Sequence, residues 1–328
     1  MNLPVITHCP GTLAPGHDTY SRGCLVKVFD GKKVDHVLPF ASPASDPNLA
    51  EAFDQNRQVM SISGVQEKFS LLLDKNKLKL INEGEQGYYI LKPIPNAGRR
   101  RDQMPANEHL TMQIARQAYR IDTADNALIF FGDGQSAYIT KRFDVNKDGS
   151  KLAQDDFASL AGRTPQTHGA DYKYQGNYLQ LFELLQRFVP AYAIEAPKLL
   201  KVIIFNYLFS NGDAHFKNFS LLETPMGDYK LSPAYDLLNS RIHIKDSDFA
   251  LHDGLLPRNL AEGKIQHQFS MLAERASIPK KTLGRMVDEM VSKSELVERL
   301  VFASFLDDAT QRNYWQAYQG RLKQFVKA

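Results

Sequence analysis

The sequence predicts an α+β fold of two lobes, a β-rich lobe followed by a mainly helical one. The first observation is a set of short β-type runs between about residues 68 and 145, broken by turn residues. The second is a change after Asp144, beyond which apolar residues recur at helical spacing. The third is size: 328 residues, 43% hydrophobic and 23% charged, can bury a sizeable core. The expected division is an N-terminal extension over 1–58, a β-rich lobe over 59–143 and a helical lobe over 144–328.

Residues 1–58 read as irregular, with Pro, Gly, Ser and Asp clustered at 39–48 and a short helical pattern at 49–57. KFSLLLD (68–74), KLKLIN (77–82) and GYYILKPI (87–94) then suggest an antiparallel meander. From 105 to 119, Leu110, Ile114, Ala115 and Ala118 share one helical face, with Asn107 as the candidate cap. ALIFF (127–131) and SAYITKRFDV (136–145) form a hairpin through Gly132-Asp133-Gly134. Helices are expected over 155–161, 177–189 and 196–210, and several more over 266–326. The stretch LLKVIIFNYLF is so apolar that its helix should be buried on most sides.

Forty basic residues against 37 acidic ones give a formal charge of +3, too balanced to argue for direct nucleic-acid binding. Arg99-Arg100-Arg101 is the densest basic spot and reads as a solvated loop or an anion contact. No apolar run approaches the ~18 residues of a membrane span. The opening MNLPVITHCPG lacks the pattern of a secretory signal. Cys9 and Cys24 make no disulfide framework and no Cys-x-x-Cys knuckle, which suits a reducing cytoplasm. A cytoplasmic location is expected, with signal-less export left open.

The segment Asn211-Gly212-Asp213-Ala214-His215-Phe216-Lys217-Asn218, followed by Tyr235-Asp236, carries the chemistry. An Asp followed five positions later by an Asn, with a second Asp beyond, is a spacing used for phosphoryl transfer from magnesium-bound ATP. One carboxylate takes the proton of the attacking hydroxyl, while the Asn oxygen and the later carboxylate hold Mg²⁺. Asp213 is thus the candidate base, and Asn218 and Asp236 the candidate Mg²⁺ ligands. His215 and Lys217 flank the base, and His215 reads equally as packing within the loop.

Upstream parts complete such a site. Ser61-Ile62-Ser63-Gly64-Val65-Gln66-Glu67-Lys68 opens the first strand. Its small residues would let backbone N–H groups approach phosphates, although one glycine alone is also an ordinary turn. Lys92 stands inside an apolar run, as a paired lysine contacting phosphates or as an edge-strand lysine facing water. Glu108 follows in the next helix, either pairing with Lys92 or favouring the helix N-terminus. Lys141-Arg142-Phe143 ends the β-rich lobe, where a hinge would present backbone groups to adenine.

These residues together resemble the HipA family of serine/threonine kinases, the toxins of bacterial toxin–antitoxin modules. The matching features are S-x-S-G-x-Q-E-K at 61–68, I-L-K-P at 90–93, N-E-H at 107–109, K-R-F-D at 141–144, N-G-D-A-H-x-K-N at 211–218 and L-x-P-x-Y-D-L at 231–237. The resemblance covers roughly 60–310 and implies a two-lobed protein-kinase-like fold using ATP and Mg²⁺. It implies Asp213 as catalytic base, Lys92 as the ATP lysine, and Asn218 and Asp236 as metal ligands. ATP would be surrounded by 63–68, 141–143, 215–218 and 235–236.

Only 60 residues precede the phosphate loop, fewer than in full-length members, which is similar to the short HipT-type toxins. In those, a separate small antitoxin supplies the missing subdomain, and a DNA-binding partner is expected. Ser61 and Ser63 are similar to the paired loop serines of that type, implying inhibitory autophosphorylation. The implied substrate is an aminoacyl-tRNA synthetase, phosphorylated so that translation stops. The alternative is a small-molecule phosphotransferase of the aminoglycoside-kinase kind, which shares the two-lobed plan and the Asp-x-x-x-x-Asn spacing.

Overall fold

The computed structural model describes residues 4–45 and 67–326. The helical pattern expected at 49–57 lies outside them. A five-stranded antiparallel sheet comprises β1 (Phe69–Asp74), β2 (Lys77–Leu80), β3 (Tyr89–Pro93), β4 (Asn126–Phe130) and β5 (Ser136–Lys141), in the order β2-β1-β3-β5-β4. This corrects the meander. β3 passes over β2 and pairs on the other side of β1, with Phe69 opposite Leu91 and Leu71 opposite Tyr89. Burial gives the reason: Leu91, Lys92 and Pro93 are buried in the sheet interior, whereas β2 exposes Lys77 and Lys79, which suits an edge.

The two sheet faces serve different cores. Leu71, Tyr89, Leu91, Ala127, Ile129 and Ile139 face one way and pack with Tyr20, Val28, Phe29 and Leu38. Described residues from before the sheet are thus packed onto it. Their helix α1 (Arg22–Phe29) is capped by Ser21, whose side chain accepts from the Cys24 N–H. Residues 36–38 run beside β4, where the Leu38 N–H donates to the Phe130 carbonyl at 2.7 Å. Cys9 and Cys24 are both buried there as free thiols.

The opposite face, carrying Lys92, Leu128 and Tyr138, meets α2 (Met104–Gln117), whose residues 104–115 are all buried. The helix begins at Met104, one residue before the expected 105, with Gln103 at its cap and Pro105 in its first turn. Asn107 is therefore not a cap. It sits inside the protein, its amide nitrogen donating to the Asn239 carbonyl at 2.9 Å and its oxygen accepting the Asn239 N–H at 3.1 Å. It docks the helix onto the second lobe.

That lobe is built on α6 (Tyr192–Leu208), buried nearly throughout from Leu199 onward. Around it lie α3 (Phe157–Leu160), α4 (Pro165–His168), α5 (Leu179–Phe188), α7 (Ile265–Arg275), α8 (Lys280–Ser292), α9 (Ser294–Phe302) and α10 (Asp308–Val326). Stacked rings join them: Phe205 on Phe209 at 4.3 Å and Phe209 on Tyr318 at 4.9 Å. β7 (Ser220–Glu223) and β8 (Tyr229–Leu231) form an antiparallel hairpin between Asn218 and Asp236, and β6 (Gln154–Asp156) joins it in a small sheet, taking the start of the helix read at 155–161. Asp156 ends β6 and caps α3 through the Ser159 N–H. Among the described residues, no helix is long and apolar enough to cross a membrane.

Candidate active site

A cleft of about 450 Å³ lies between the large sheet and the helical lobe, within the ~300–1,000 Å³ of small-molecule sites. Its floor begins where α6 ends. Ser210 turns the chain in the left-handed region (φ 55°), and the Gly212 N–H donates to Ser240 Oγ at 2.9 Å. A Cβ on Gly212 would lie 2.4 Å from the Ser247 carbonyl oxygen and 2.5 Å from Asp246 Cγ. Glycine is required there by close approach.

Asp213 follows, half-buried, and its carboxylate accepts the Tyr174 hydroxyl at 2.8 Å. Burial pushes the Asp213 carboxyl up, and the Tyr174 hydroxyl and the Lys173 ammonium pull it back. His215 is buried, edge-on to Tyr174 at 5.1 Å between centroids, with its Nδ1 unpartnered among the described residues. Burial, aided by Lys173, lowers it to about 3, so the ring is neutral. The Asn218 side-chain oxygen accepts the His215 N–H at 3.0 Å, while its nitrogen donates to Asp236 at 3.3 Å.

Asp236 returns to the cleft after β8 in the left-handed conformation (φ 55°). Tyr235 before it donates to the Lys217 carbonyl at 3.0 Å and packs on Phe143 at 5.8 Å. The Asp236 carboxylate accepts from Lys92, and Lys68 stands 3.7 Å away. Burial alone would raise its carboxyl, but Lys68 and Lys92 outweigh it and hold the group well below the carboxylate range. Lys92 also pairs with Glu108 at 2.6 Å, their side chains 5% and 2% exposed. Burial disfavours the Lys92 charge, yet the two carboxylates hold it firmly as an ammonium. Burial pushes Glu108 up against the pull of Lys92. Of the two sequence readings of Lys92, the structure gives the paired one, in a strand interior to the sheet.

Lys141, Arg142 and Phe143 line the far side with Ile90 and Thr140. Their charged ends point to other partners: Lys141 to Asp30 at 2.7 Å, and the Arg142 Nε to Asp144 at 3.0 Å. Their backbone N–H groups are also committed, to the Asp125 and Tyr88 carbonyls. Phe143 alone of the three keeps a backbone N–H without a partner among the described residues. Phe216 is buried, with the Arg163 guanidinium 4.2 Å over its ring, and does not line the cleft. Glu67 does not line it either. Ser61, Ser63, Gly64, Val65 and Gln66 lie outside the described residues. The cleft thus gathers Lys68, Lys92, Asp213, His215, Lys217, Asn218, Tyr235 and Asp236. Sequence reasoning missed Lys173, Tyr174, Gln154 and Ser240, because they sit in segments without periodicity or motif spacing.

The donor set fits a hard cation: the deprotonated Asp236 carboxylate and the Asn218 amide oxygen are both oxygen ligands. One lone pair of that amide oxygen is taken by the His215 N–H.

Residues 60–297 match the model of the HipA-like C-terminal domain. A protein of Haemophilus influenzae, named as a candidate kinase, is 26% identical over 334 residues, spanning 92% of this chain and 91% of that protein. Two solved structures share the fold. HipA of Shewanella oneidensis MR-1, determined with HipB and operator DNA, superposes with a TM-score of 0.65 at 19% identity, over 83% of this chain and 66% of that one. The proinflammatory kinase CtkA of Helicobacter pylori gives 0.53 at 12% identity, over 78% of this chain and 94% of that one. The architecture is therefore the two-lobed kinase-like fold expected from the sequence.

Proposed function

Because the chain belongs to the family of the HipA-like C-terminal domain, we propose that it is an ATP- and Mg²⁺-dependent serine/threonine protein kinase, the toxin of a bacterial toxin–antitoxin module. One observation carries this reading: Asp213, Asn218, Asp236 and the Lys92–Glu108 pair, spread along the chain from 92 to 236, converge on one cleft. A kinase needs this set, and a purely structural network has no use for a half-buried base facing a cleft.

Asp213, kept partly desolvated and aimed by Tyr174, accepts the proton of the acceptor hydroxyl as its oxygen bonds the γ-phosphorus and the bond to ADP breaks. Lys92, oriented by Glu108, holds the α and β phosphates. Asp236 and Asn218 would hold Mg²⁺, which when bound neutralises phosphate charge. Phe143 offers its N–H to adenine. Ser61 and Ser63, which precede β1 in the sequence, are the proposed sites of inhibitory autophosphorylation, since a phosphate on either adds about −1.5 to −2 charge, which would repel the nucleotide.

The substrate we propose is an aminoacyl-tRNA synthetase, and the partners are a small antitoxin of the HipT-type arrangement and a DNA-binding antitoxin. The HipB and operator DNA found with the Shewanella protein support the second. The test combines labelled Mg-ATP, a bacterial lysate and expression in cells. Wild type should label one protein and arrest growth with one tRNA uncharged. Asp213→Asn should cut labelling by about 10²–10⁴-fold and permit growth. Labelling of a metabolite with no protein labelled would favour a small-molecule phosphotransferase, and near-normal transfer by Asp213→Asn would sink the assignment.

A further inference from the structure

We propose that Lys173 is a further catalytic residue, whose ammonium group receives the oxygens of the phosphoryl group while it passes from ATP to the acceptor. The inference rests on the kinase reading above and adds to it a residue outside the motifs.

Lys173 is 4% exposed, an unusual place for a lysine. Among the described residues its ammonium has no hydrogen bond and no carboxylate within 4.0 Å, and its recorded contact is the face of Tyr174, 4.9 Å from the ring centre. Among the described residues, two other lysines of the cleft have carboxylate partners, Lys92 with Glu108 and Asp236 and Lys68 with Asp236 at 3.7 Å, while Lys217 lines the cleft without one.

Its backbone, by contrast, is fixed to the catalytic loop. The Lys173 carbonyl accepts the Phe216 N–H at 3.2 Å, the Tyr174 carbonyl accepts the His252 N–H at 2.9 Å, and the Tyr174 hydroxyl holds Asp213. Burial disfavours the Lys173 charge and nearby Asp213 partly restores it. A cation whose backbone is fixed to the loop of the proposed base, and whose ammonium has no hydrogen-bond or carboxylate partner among the described residues, is suited to an anion that arrives only with substrate. In transfer, charge spreads over the three outer phosphoryl oxygens, and a preorganised cation there costs no reorganisation. The balance is that of the reaction itself: the acceptor oxygen bonds phosphorus, the bond to ADP breaks, the hydroxyl proton goes to Asp213, and Lys173 keeps its own proton.

The experiment measures Mg-ATP affinity and single-turnover transfer to lysate protein for Lys173→Met and Lys173→Arg. We expect Lys173→Met to slow transfer by about 10²–10³-fold with Mg-ATP affinity within about threefold of wild type, and Lys173→Arg to recover at least about tenfold of the loss. Unchanged transfer, or an affinity loss as large as the rate loss, would overturn the proposal. An inactive wild type would instead overturn the kinase reading. For a measurement that needs no variant, reductive methylation of the wild type should modify Lys173 more slowly with Mg-ATP than with Mg-ADP. Equal rates would count against the contact.

Discussion

At the scale of single residues, Asp213 shows how much the chemistry depends on neighbours far away in sequence. Its spacing to Asn218 was readable, because the proposed base and the proposed metal ligand on one short loop need a fixed number of residues between them. Tyr174, 39 positions earlier, was not, since nothing in DYKYQGNY marks which tyrosine will reach the loop. Its effect is testable through pH. Burial raises the Asp213 carboxyl, and the base must be ionised, so transfer should fail as pH falls through that raised value. The Tyr174 hydroxyl favours the anion, and Tyr174→Phe should move the acid limb to higher pH, while Lys173, Asp246 and Asp236 keep their influence. Well above the limb the two proteins should approach each other in rate. An acid limb that stays in place in the variant would show that the hydrogen bond does not tune the base. His215, held near 3, should contribute no limb in the neutral range.

Among the elements, the positions of strands and helices followed from periodicity, but their partners did not. KLKLIN reads as a strand on pattern alone, yet only the burial of β3 decides that β2 takes the edge. Asn107 likewise has the chemistry of a cap, and Pro105 starting the helix earlier sends it into the interior instead. Gly212 makes the sharpest element-level prediction. It joins α6 to the loop of Asp213, and the space its Cβ would take is filled by the Ser247 carbonyl and the Asp246 carboxylate. Gly212→Ala should destabilise the fold by about 1–3 kcal/mol and, because Gly212 directly precedes Asp213, reduce transfer far more than thermal stability explains. Wild-type turnover at the permissive temperature would refute the close fit. The apolar helix 196–210 needed no such context, because a segment apolar on all sides has one stable place, the core.

For the whole molecule, the Lys92 ammonium is the junction: β3 supplies it, α2 supplies Glu108, and the second lobe supplies Asp236. Removing it strands two carboxylates, one of them almost fully buried. Lys92→Met should therefore cost about 3–5 kcal/mol, and adding Glu108→Gln should restore a substantial part while ATP affinity stays lost. Denaturant melts of the two variants check this, and a single variant as stable as wild type would mean the junction holds nothing together. The sequence by itself determined the two-lobed α+β plan and the apolar helix, and it singled out Lys92, Asp213, Asn218 and Asp236 as candidates, since periodicity and ligand spacing are local properties. The tertiary structure alone decided that Lys92 is paired rather than solvent-facing, that residues 4–45 cover the sheet, that Phe216 is core, and that Lys173 and Tyr174 stand beside the base. Burial and electrostatic partners are properties of space, not of neighbouring positions, and they appear only once distant segments are packed together.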